Sequence, residues 1–191
     1  TAFIRRNRAT PFFLFLSHYA VHTPIQAKKN LKAHFDQKPR GDQKNPAYAA
    51  MIASVDQSVG RVLAELDAQG LRENTMVILT SDNGGLASVT NNAPLRGGKG
   101  NPYEGGIRVP LIARWPRMIP AGSTASVPVS SIDIFPTVLD AASLPTPEEP
   151  QIDGESLLGV MEGRDELTRD GLFWHFPHFR GHDATPYSMV R

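Results

Sequence analysis

The sequence has no cysteine among its 191 residues and no apolar run long enough to cross a membrane. The first absence excludes disulfides, thiolate zinc sites and a cysteine nucleophile within this chain. Apolar stretches such as Phe12–Leu16 are far shorter than the roughly 20 residues of a membrane-spanning helix. The formal net charge of +1 excludes a polycation selected for nucleic acid and an acidic solvating tail.

The chain also lacks an initiating methionine and an apolar signal core, because it opens with Thr-Ala-Phe-Ile-Arg-Arg. We therefore expect a piece of a longer protein whose beginning lies elsewhere. What the chain does have is a 40% hydrophobic fraction, which is enough for a packed core. Its 16 glycines and 16 prolines predict many turns and many short elements.

Apolar patterning predicts an α/β fold with a mainly parallel sheet. Three apolar segments are predicted strands, and they are Pro11–Ser17, Met76–Thr80 and Ile107–Trp115. Between the first two, apolar residues recur at helical spacing after Asn45, a suitable N-cap, and the pattern stops at Gly70. A strand, a helix and a strand in this order indicate a right-handed crossover with helices flanking the sheet.

A proline-rich connector at Leu144–Pro150 predicts a boundary between two domains. Residues 1–145 are then one α/β domain, which ends in a helix from about Asp133 to Ala142. Residues 146–191 begin a smaller C-terminal α+β subdomain with an aromatic strand at Leu172–Phe176.

Asp82 and Asn83 directly follow the second predicted strand. Open α/β sheets place their sites at the carboxyl ends of strands. A carboxylate beside a carboxamide offers two hard oxygen ligands, which suit Ca²⁺ or Mg²⁺ rather than zinc. The alternative is an ordinary Asp-Asn-Gly turn, and the residues alone leave both interpretations open.

His18 and His22 flank the end of the first predicted strand. If the first two strands are parallel neighbours, His22 and Asp82 lie at the same edge of the sheet. A histidine there can donate to an oxyanion or act as a general acid. The alternative is a histidine of a surface loop, and His18 has the weaker case of the two.

Lys99 lies in the glycine-rich segment Leu95–Pro110. Its glycine neighbours let the ammonium approach a ligand closely, and a compact cation suits sulfate or phosphate oxygens. Glu104 can orient Lys99, while Arg96 and Arg108 are interpreted as structural ion-pairing residues. The segment lacks the spacing and the Ser/Thr of a nucleotide-binding P-loop. The alternative for Lys99 is a position in a flexible loop.

Two histidines, His175 and His178, lie among aromatic residues in Trp-His-Phe-Pro-His-Phe. Such a face can stack on a sugar ring, although packing at a core or sheet edge is the ordinary role of these residues. Further upstream, basic residues cluster between Lys28 and Lys44. This cluster indicates either a solvated face or attraction of an anionic polymer.

Four strings together resemble the later part of a type I sulfatase, in the alkaline phosphatase superfamily. They are His-Tyr-Ala-Val-His-Thr-Pro, Thr-Ser-Asp-Asn-Gly-Gly, Leu-Arg-Gly-Gly-Lys-Gly-Asn-Pro-Tyr-Glu-Gly-Gly-Ile-Arg-Val-Pro and Ser-Ile-Asp-Ile-Phe-Pro-Thr-Val-Leu. Each string is modest alone, but their order and spacing are highly specific. The resemblance runs from Pro11 to about His178, and it implies an alkaline phosphatase-like fold in which residues 1–145 are the later part of the catalytic domain.

The resemblance also implies a role for each matching residue. It makes Asp82 and Asn83 two ligands of an active-site Ca²⁺, with Mg²⁺ as the alternative ion. It makes Lys99 a contact of the sulfate and of the leaving-group oxygen, and it makes His22 a hydrogen-bond donor to the same sulfate. The family's nucleophile is a formylglycine formed in a C/S-x-P-x-R string, and this chain contains no such string. The resemblance therefore implies a sulfuric ester hydrolase whose nucleophile lies in a preceding segment, and a chain that is inactive by itself.

The implied substrate is a sulfated small molecule or sugar, and the implied partner is the preceding part of the same protein. The implied location is periplasmic or extracellular, and neither nucleic acid nor a membrane span is expected. Two alternatives stay open, namely a phosphonate or phosphodiester hydrolase on the same scaffold and a non-catalytic binding module. A Cys-x-Pro-x-Arg string upstream of Thr1 would favour the sulfatase over the binding module.

Overall fold

The computed structural model describes residues 1–164, 167–179 and 185–191. The chain forms two compact units, each assembled from separate stretches. The first unit comprises Thr1–Thr75 and Asn83–Arg108, and the second comprises Met76–Asp82 and Val109–Arg191. The domain boundary near residue 145 stays a prediction.

Helices dominate the first unit. They are α1 at Ala2–Asn7, α2 at Lys29–Asp36, α3 at Pro46–Ala68 and the single turn α4 at Glu104–Ile107, with a 3₁₀ turn at Arg72–Asn74. Helix α3 packs against α1 and α2, and the buried apolar side chains of this unit are Ile4, Ala50, Met51 and Leu66. None of the helices in the described ranges is both long and apolar enough to span a bilayer.

Helix α3 begins and ends where the sequence predicts. The side-chain oxygen of Asn45 accepts hydrogen bonds from the backbone N–H groups of Ala47 and Tyr48, each at 3.1 Å. Beyond the helix, Gly70 has a φ of +69°, in the left-handed region that ends helices and favours glycine. Both signals are local, so the sequence alone is enough to read them.

The predicted strand Pro11–Ser17 is wrong. The segment belongs to neither strand pair, and Phe13 and Phe15 expose 66% and 80% of their surface. Apolar composition favours a strand, but a strand also needs a hydrogen-bonded neighbour. Among the described residues, none pairs with this segment.

The second unit contains both strand pairs. Strand β1 at Val77–Thr80 pairs with β2 at Leu111–Arg114, and β3 at Phe173–Phe176 pairs with β4 at Tyr187–Val190. Both pairs are antiparallel, so the parallel pairing predicted between Met76–Thr80 and Ile107–Trp115 is corrected. An apolar run indicates that a strand exists, whereas the direction of its neighbour depends on the path of the connecting chain.

Strand β2 is shorter than the predicted Ile107–Trp115. Residues Glu104–Ile107 turn as α4, and Pro110, which has no N–H to donate, directly precedes the strand. Helix α5 at Ile134–Ala141 confirms the helix predicted after Asp133, and α6 at Leu158–Met161 is a single further turn. Strand β3 likewise confirms the predicted aromatic strand.

A buried ion pair links two distant stretches of the second unit. Asp133 is fully buried, and Arg169 donates through Nη1 and Nη2 to its two carboxylate oxygens at 2.6 and 2.8 Å. The backbone N–H groups of Ser130 and Glu155 donate to the same carboxylate. Burial alone would raise the pKa of Asp133, but these donors outweigh burial and hold the pKa below its usual value. We call these four residues the Asp133 network.

Candidate active site

Strand β1 leads directly to Asp82 and Asn83. Thr80, its last residue, pairs with Leu111, and its hydroxyl donates to the Pro110 carbonyl oxygen at 3.1 Å. The strand end is therefore anchored just before the two candidate metal ligands. The Asp82 side chain is exposed and Asn83 is half-buried.

The side-chain oxygen atoms of Asp82 and Asn83 are of the type that a hard cation prefers as ligands. The Asn83 Nδ2 donates to the Gly84 carbonyl oxygen at 2.9 Å, so Oδ1 is the carboxamide atom that suits a cation. Ca²⁺ takes about six to eight oxygen ligands. No group of three or more His, Asp or Glu side chains arranged for a metal occurs in the part of the chain that the structure describes. The two residues therefore fit Ca²⁺ or Mg²⁺, and a complete site needs further ligands.

Backbone hydrogen bonds hold the loop of residues 84–106, which we call the glycine loop. The Gly84 N–H donates to the Gly106 carbonyl oxygen at 2.9 Å, which joins the two ends. The Lys99 N–H donates to the Gly85 carbonyl oxygen at 3.0 Å. The facing backbones lie so close that a Cβ at Gly84 would overlap a carbonyl oxygen. Lys99 is half-buried. Its backbone is held within the glycine loop, which begins directly after Asn83.

Two asparagines that the sequence analysis missed brace the glycine loop. Asn92 Oδ1 accepts from the Gly85 N–H at 3.0 Å, and its Nδ2 donates to the Gly85 carbonyl oxygen at 2.9 Å. Asn101 Oδ1 accepts from the Gly98 N–H at 3.1 Å. Asn92 thus holds the same residue that binds the Lys99 backbone. Asparagines in glycine-rich loops often bond to the backbone, but the sequence does not indicate to which residue.

Charged side chains stiffen the far end of the glycine loop. Arg108 donates through Nη1 to Glu104 Oε2 at 2.9 Å. The Arg96 guanidinium stacks on Tyr103, 3.8 Å from the ring centroid. The interpretation of Glu104 as a residue that orients Lys99 stays a prediction.

The two histidines near the first predicted strand have different surroundings. His22 is exposed, and its Nδ1 lies 2.7 Å from the Thr23 carbonyl oxygen. A carbonyl oxygen only accepts, so Nδ1 carries a hydrogen and Nε2 is the nitrogen that can meet a ligand. His18 Nε2 is buried and has no hydrogen-bond partner among the described residues.

The β3–β4 hairpin carries the predicted sugar-binding histidines at or next to its exposed face. His175 Nδ1 lies 2.9 Å from Ser188 Oγ, its partner across the strands. Phe173 and Val190, paired on the same face, expose 75% and 68% of their surface. His178 follows β3 and meets the Phe176 ring edge-on, with 5.5 Å between centroids. An exposed ring beside a polar histidine–serine pair is a surface that a sugar can contact.

The structure brings the predicted site residues together only in part. Lys99 and Glu104 belong to the glycine loop, and Asp82 and Asn83 directly precede it in the chain. The convergence of His22 with Lys99 on a single sulfate stays a prediction.

Comparison with known proteins decides the family. Residues 1–144 match the family described as Sulfatase, and residues 99–190 match the one described as N-sulphoglucosamine sulphohydrolase, C-terminal. The chain belongs to the sulfatase family. The resemblance inferred from the four sequence strings is thereby confirmed.

This sulfatase-family chain has relatives in bacteria and mammals. A sulfatase of Formosa agariphila is 39% identical over 201 residues, covering 97% of this chain and 36% of the relative. The steryl-sulfatase of Mus musculus is 40% identical over 184 residues, covering 91% of this chain and 28% of the relative. The chain therefore spans about a third of the length of these curated relatives.

Solved structures of the family confirm the predicted α/β fold. The crystal structure of Ps i-CgsB in complex with k-i-k-neocarrahexaose superposes with a TM-score of 0.86 at 33% identity. The match covers 100% of this chain and 42% of that chain. The likeness extends over both compact units, so each has the fold of the corresponding part of a sulfatase.

Proposed function

We propose that the full-length protein containing this chain hydrolyses sulfate esters, with sulfated carbohydrates as substrates. The observation that carries the proposal is the glycine loop, in which the half-buried Lys99 is fixed through its backbone bond to Gly85. A cation on a fixed backbone suits an anion whose position must not vary during reaction. Membership of the sulfatase family supports the same reaction class.

Lys99 is proposed to act on the sulfate and on the leaving-group oxygen. Cleavage of the ester transfers negative charge to that oxygen, and a nearby ammonium stabilises this charge as it forms. The glycines on either side of Lys99 allow the ester to approach closely. Glu104 is proposed to orient Lys99 from within the same loop.

His22 is proposed to donate a hydrogen bond to the same sulfate. Its Nδ1 hydrogen is committed to the Thr23 carbonyl oxygen, so Nε2 must supply the donor. Nε2 carries a hydrogen at the same time only in the doubly protonated imidazolium. The proposed role therefore requires a cationic His22, which adds a second positive charge beside the sulfate.

Asp82 and Asn83 are proposed to supply two of the ligands of a Ca²⁺ ion, or of Mg²⁺. A divalent cation at the end of β1 would polarise the sulfate oxygens and support an oxyanion nucleophile. The nucleophile is proposed to be a formylglycine from outside this chain, since the chain has no cysteine from which to form one. The chain's own residues then bind, orient and polarise the sulfate.

The exposed face of the β3–β4 hairpin is the proposed contact for the sugar. Phe173 offers an exposed ring for stacking, and His175 with Ser188 offers hydrogen bonds to hydroxyls. The oligosaccharide in the crystal structure of Ps i-CgsB supports a carbohydrate substrate class for a chain of this fold. His178 contacts Phe176, whose ring lies on the other face of β3, and it is proposed as a further sugar contact at the end of the strand.

The experiment that tests the proposal is a substrate panel on the full-length protein. We expect turnover of an aryl sulfate and of a sulfated oligosaccharide, loss of turnover after chelation with EDTA, and recovery with Ca²⁺. An aryl phosphonate and a phosphodiester in the same panel test the alternative hydrolases, and faster turnover of either would contradict the proposal. The absence of turnover on every ester would favour the binding module. Export of the protein, implied by the resemblance, is tested separately by cell fractionation.

A further inference from the structure

A cationic cavity, open to the surface, lies beside the N-terminus of α3, and none of the residues assigned to the reaction lines it. Its volume is about 110 Å³, well above the roughly 10–15 Å³ that one water needs, so it has room for an oxyanion. Three basic side chains line it, namely Lys38, Arg40 and Lys44, and the other polar lining residues are Gln43 and Asn45. We call this space the basic cavity.

In the part of the chain that the structure describes, the three cations of the basic cavity have no carboxylate partners. Among the described residues, no Asp or Glu forms an ion pair with Lys38, Arg40 or Lys44. The neighbouring Lys32, by contrast, pairs with Asp36 at 2.7 Å. Three positive charges around one space repel one another. A bound anion offsets this repulsion, so its electrostatic energy in the cavity is favourable.

Two further features of the basic cavity favour an anion. The 23-residue helix α3 directs the positive end of its dipole toward its N-terminus, where Asn45 and Pro46 line the cavity. The Lys38 ammonium lies 5.0 Å from the centroid of the Phe35 ring, which also lines the cavity, and this cation–π contact holds the ammonium beside the cavity, where an anion can reach it. The only carboxylate in the 37–45 segment belongs to Asp42, which does not line the cavity.

We propose that the basic cavity binds an oxyanion group of an anionic glycan, a site separate from the one at Lys99. Within the first unit, Gln43 connects the basic cavity, which it lines, to the glycine loop. It donates through Nε2 to the Asn91 carbonyl oxygen at 2.8 Å, and its Oε1 accepts from the Thr90 hydroxyl at 2.6 Å. The next residue, Asn92, braces the Gly85 backbone that binds Lys99. An anion in the cavity would therefore be held by a wall that is hydrogen-bonded to the glycine loop.

This inference rests on the proposed function only for the source of the anion, which would be a second sulfate group of the same substrate. The cavity distinguishes a glycan that carries several sulfates from one that carries a single sulfate. A singly sulfated ester leaves the three cations unpaired, whereas a polysulfated chain can fill both regions. The site is thus a specificity determinant for the charge density of the substrate.

The test is calorimetric binding of pentosan polysulfate hexamers to the full-length protein. The variant Lys38→Gln/Arg40→Gln/Lys44→Gln should bind about tenfold more weakly, since three exposed ion pairs are lost together. The matched control is Arg6→Gln/Arg61→Gln/Arg117→Gln, which removes the same charge from exposed arginines outside the cavity. The control should bind within about twofold of the wild type, and the Tm of each variant checks folding.

Equal weakening by both triple variants would mean general charge attraction and would overturn the site. Unchanged binding by the cavity variant would overturn it as well. A hexamer of polygalacturonate in the same titration separates carboxylate from sulfate as the group recognised. Hydrolysis of an aryl sulfate by the wild type tests the proposed function alone, so the two ideas fail independently.

Discussion

The ammonium of Lys99 is the single charge on which the proposed reaction most depends. The variant Lys99→Ala in the full-length protein should lower kcat about 10²–10³-fold and raise KM much less, because charge on the leaving oxygen appears mainly in the transition state. Steady-state kinetics on an aryl sulfate measure both constants. The exposed Lys29 provides the control as Lys29→Ala. A raised KM with an unchanged kcat would mean that Lys99 contributes equally to binding of the ground state and of the transition state.

Asn92 is expected to act on the reaction through Lys99. Its side chain makes both of its hydrogen bonds to Gly85, whose carbonyl oxygen also accepts the Lys99 N–H. Asn92→Ala should therefore lower kcat about tenfold, since a small misplacement of a catalytic group costs one to two orders of magnitude. Asn91→Ala is the matched control, because the Asn91 side chain accepts only from the Ala93 N–H. Equal kcat values for the two variants would contradict the positioning role.

The residues at the site differ in how far the sequence indicates them. Asp82, Asn83 and Lys99 lie in short strings whose residue types already suit their proposed chemistry. Asn92 acts on a glycine seven residues away, and no local rule selects it over Asn91. Whether His22 meets Lys99 depends on how distant segments of the chain fold together, which spacing along the sequence does not determine.

In the second unit, the Asp133 network should make the free energy of unfolding depend on pH in the acidic range. The folded state lowers the pKa of Asp133, so the network contributes its full stability above the unfolded pKa of about 3.9. That contribution is lost as pH falls through the lower, folded pKa. The backbone N–H of Thr168 and further donors also lower the pKa of Glu155, which reinforces the trend.

Asp133→Asn tests the network, because it leaves the guanidinium of Arg169, which is only 14% exposed, without its charge partner. The cost should be about 3–5 kcal/mol of unfolding free energy at neutral pH. The fall of Tm between about pH 5 and pH 2 should also become shallower than in the wild type. Circular dichroism melts across that range give both quantities, with the exposed Asp42→Asn as control. Parallel Tm curves for wild type and Asp133→Asn would contradict the network's role.

Elements specified by local signals were predicted well, and elements specified by distant partners were not. Helix α3 has its cap at Asn45 and its stop at Gly70, so its bounds follow from a short stretch of sequence. Strand β1 lies where the sequence predicts and β2 lies within the longer predicted segment Ile107–Trp115, but their antiparallel pairing depends on the path of the glycine loop and the backbone that follows it. Pro11–Ser17 has strand-like residues, and nothing in its own sequence reveals whether a neighbour pairs with it.

On the scale of the whole molecule, the 191-residue chain should not hydrolyse sulfate esters by itself. It has no cysteine to become formylglycine and no Ser-x-Pro-x-Arg string. Lys99, His22, Asp82 and Asn83 are proposed to bind and polarise sulfate, but without an attacking group the rate falls by orders of magnitude. An aryl sulfate assay on the chain and on the full-length protein makes the comparison. Turnover that scales with the concentration of the chain, and disappears in Lys99→Ala, would mean that another residue is the nucleophile.

The unpaired segment Pro11–Ser17 has a consequence for anyone who produces this chain. Phe12–Leu16 contains no charge and no proline, and two of its three rings, Phe13 and Phe15, lie largely in water. Uncharged aromatic stretches of this kind stack against copies of themselves into cross-β aggregates. A bacterial host would therefore deposit the chain in inclusion bodies. The substitution Phe15→Lys places a charge at the most exposed ring of this segment. We expect this variant of the chain to stay in the soluble fraction after lysis.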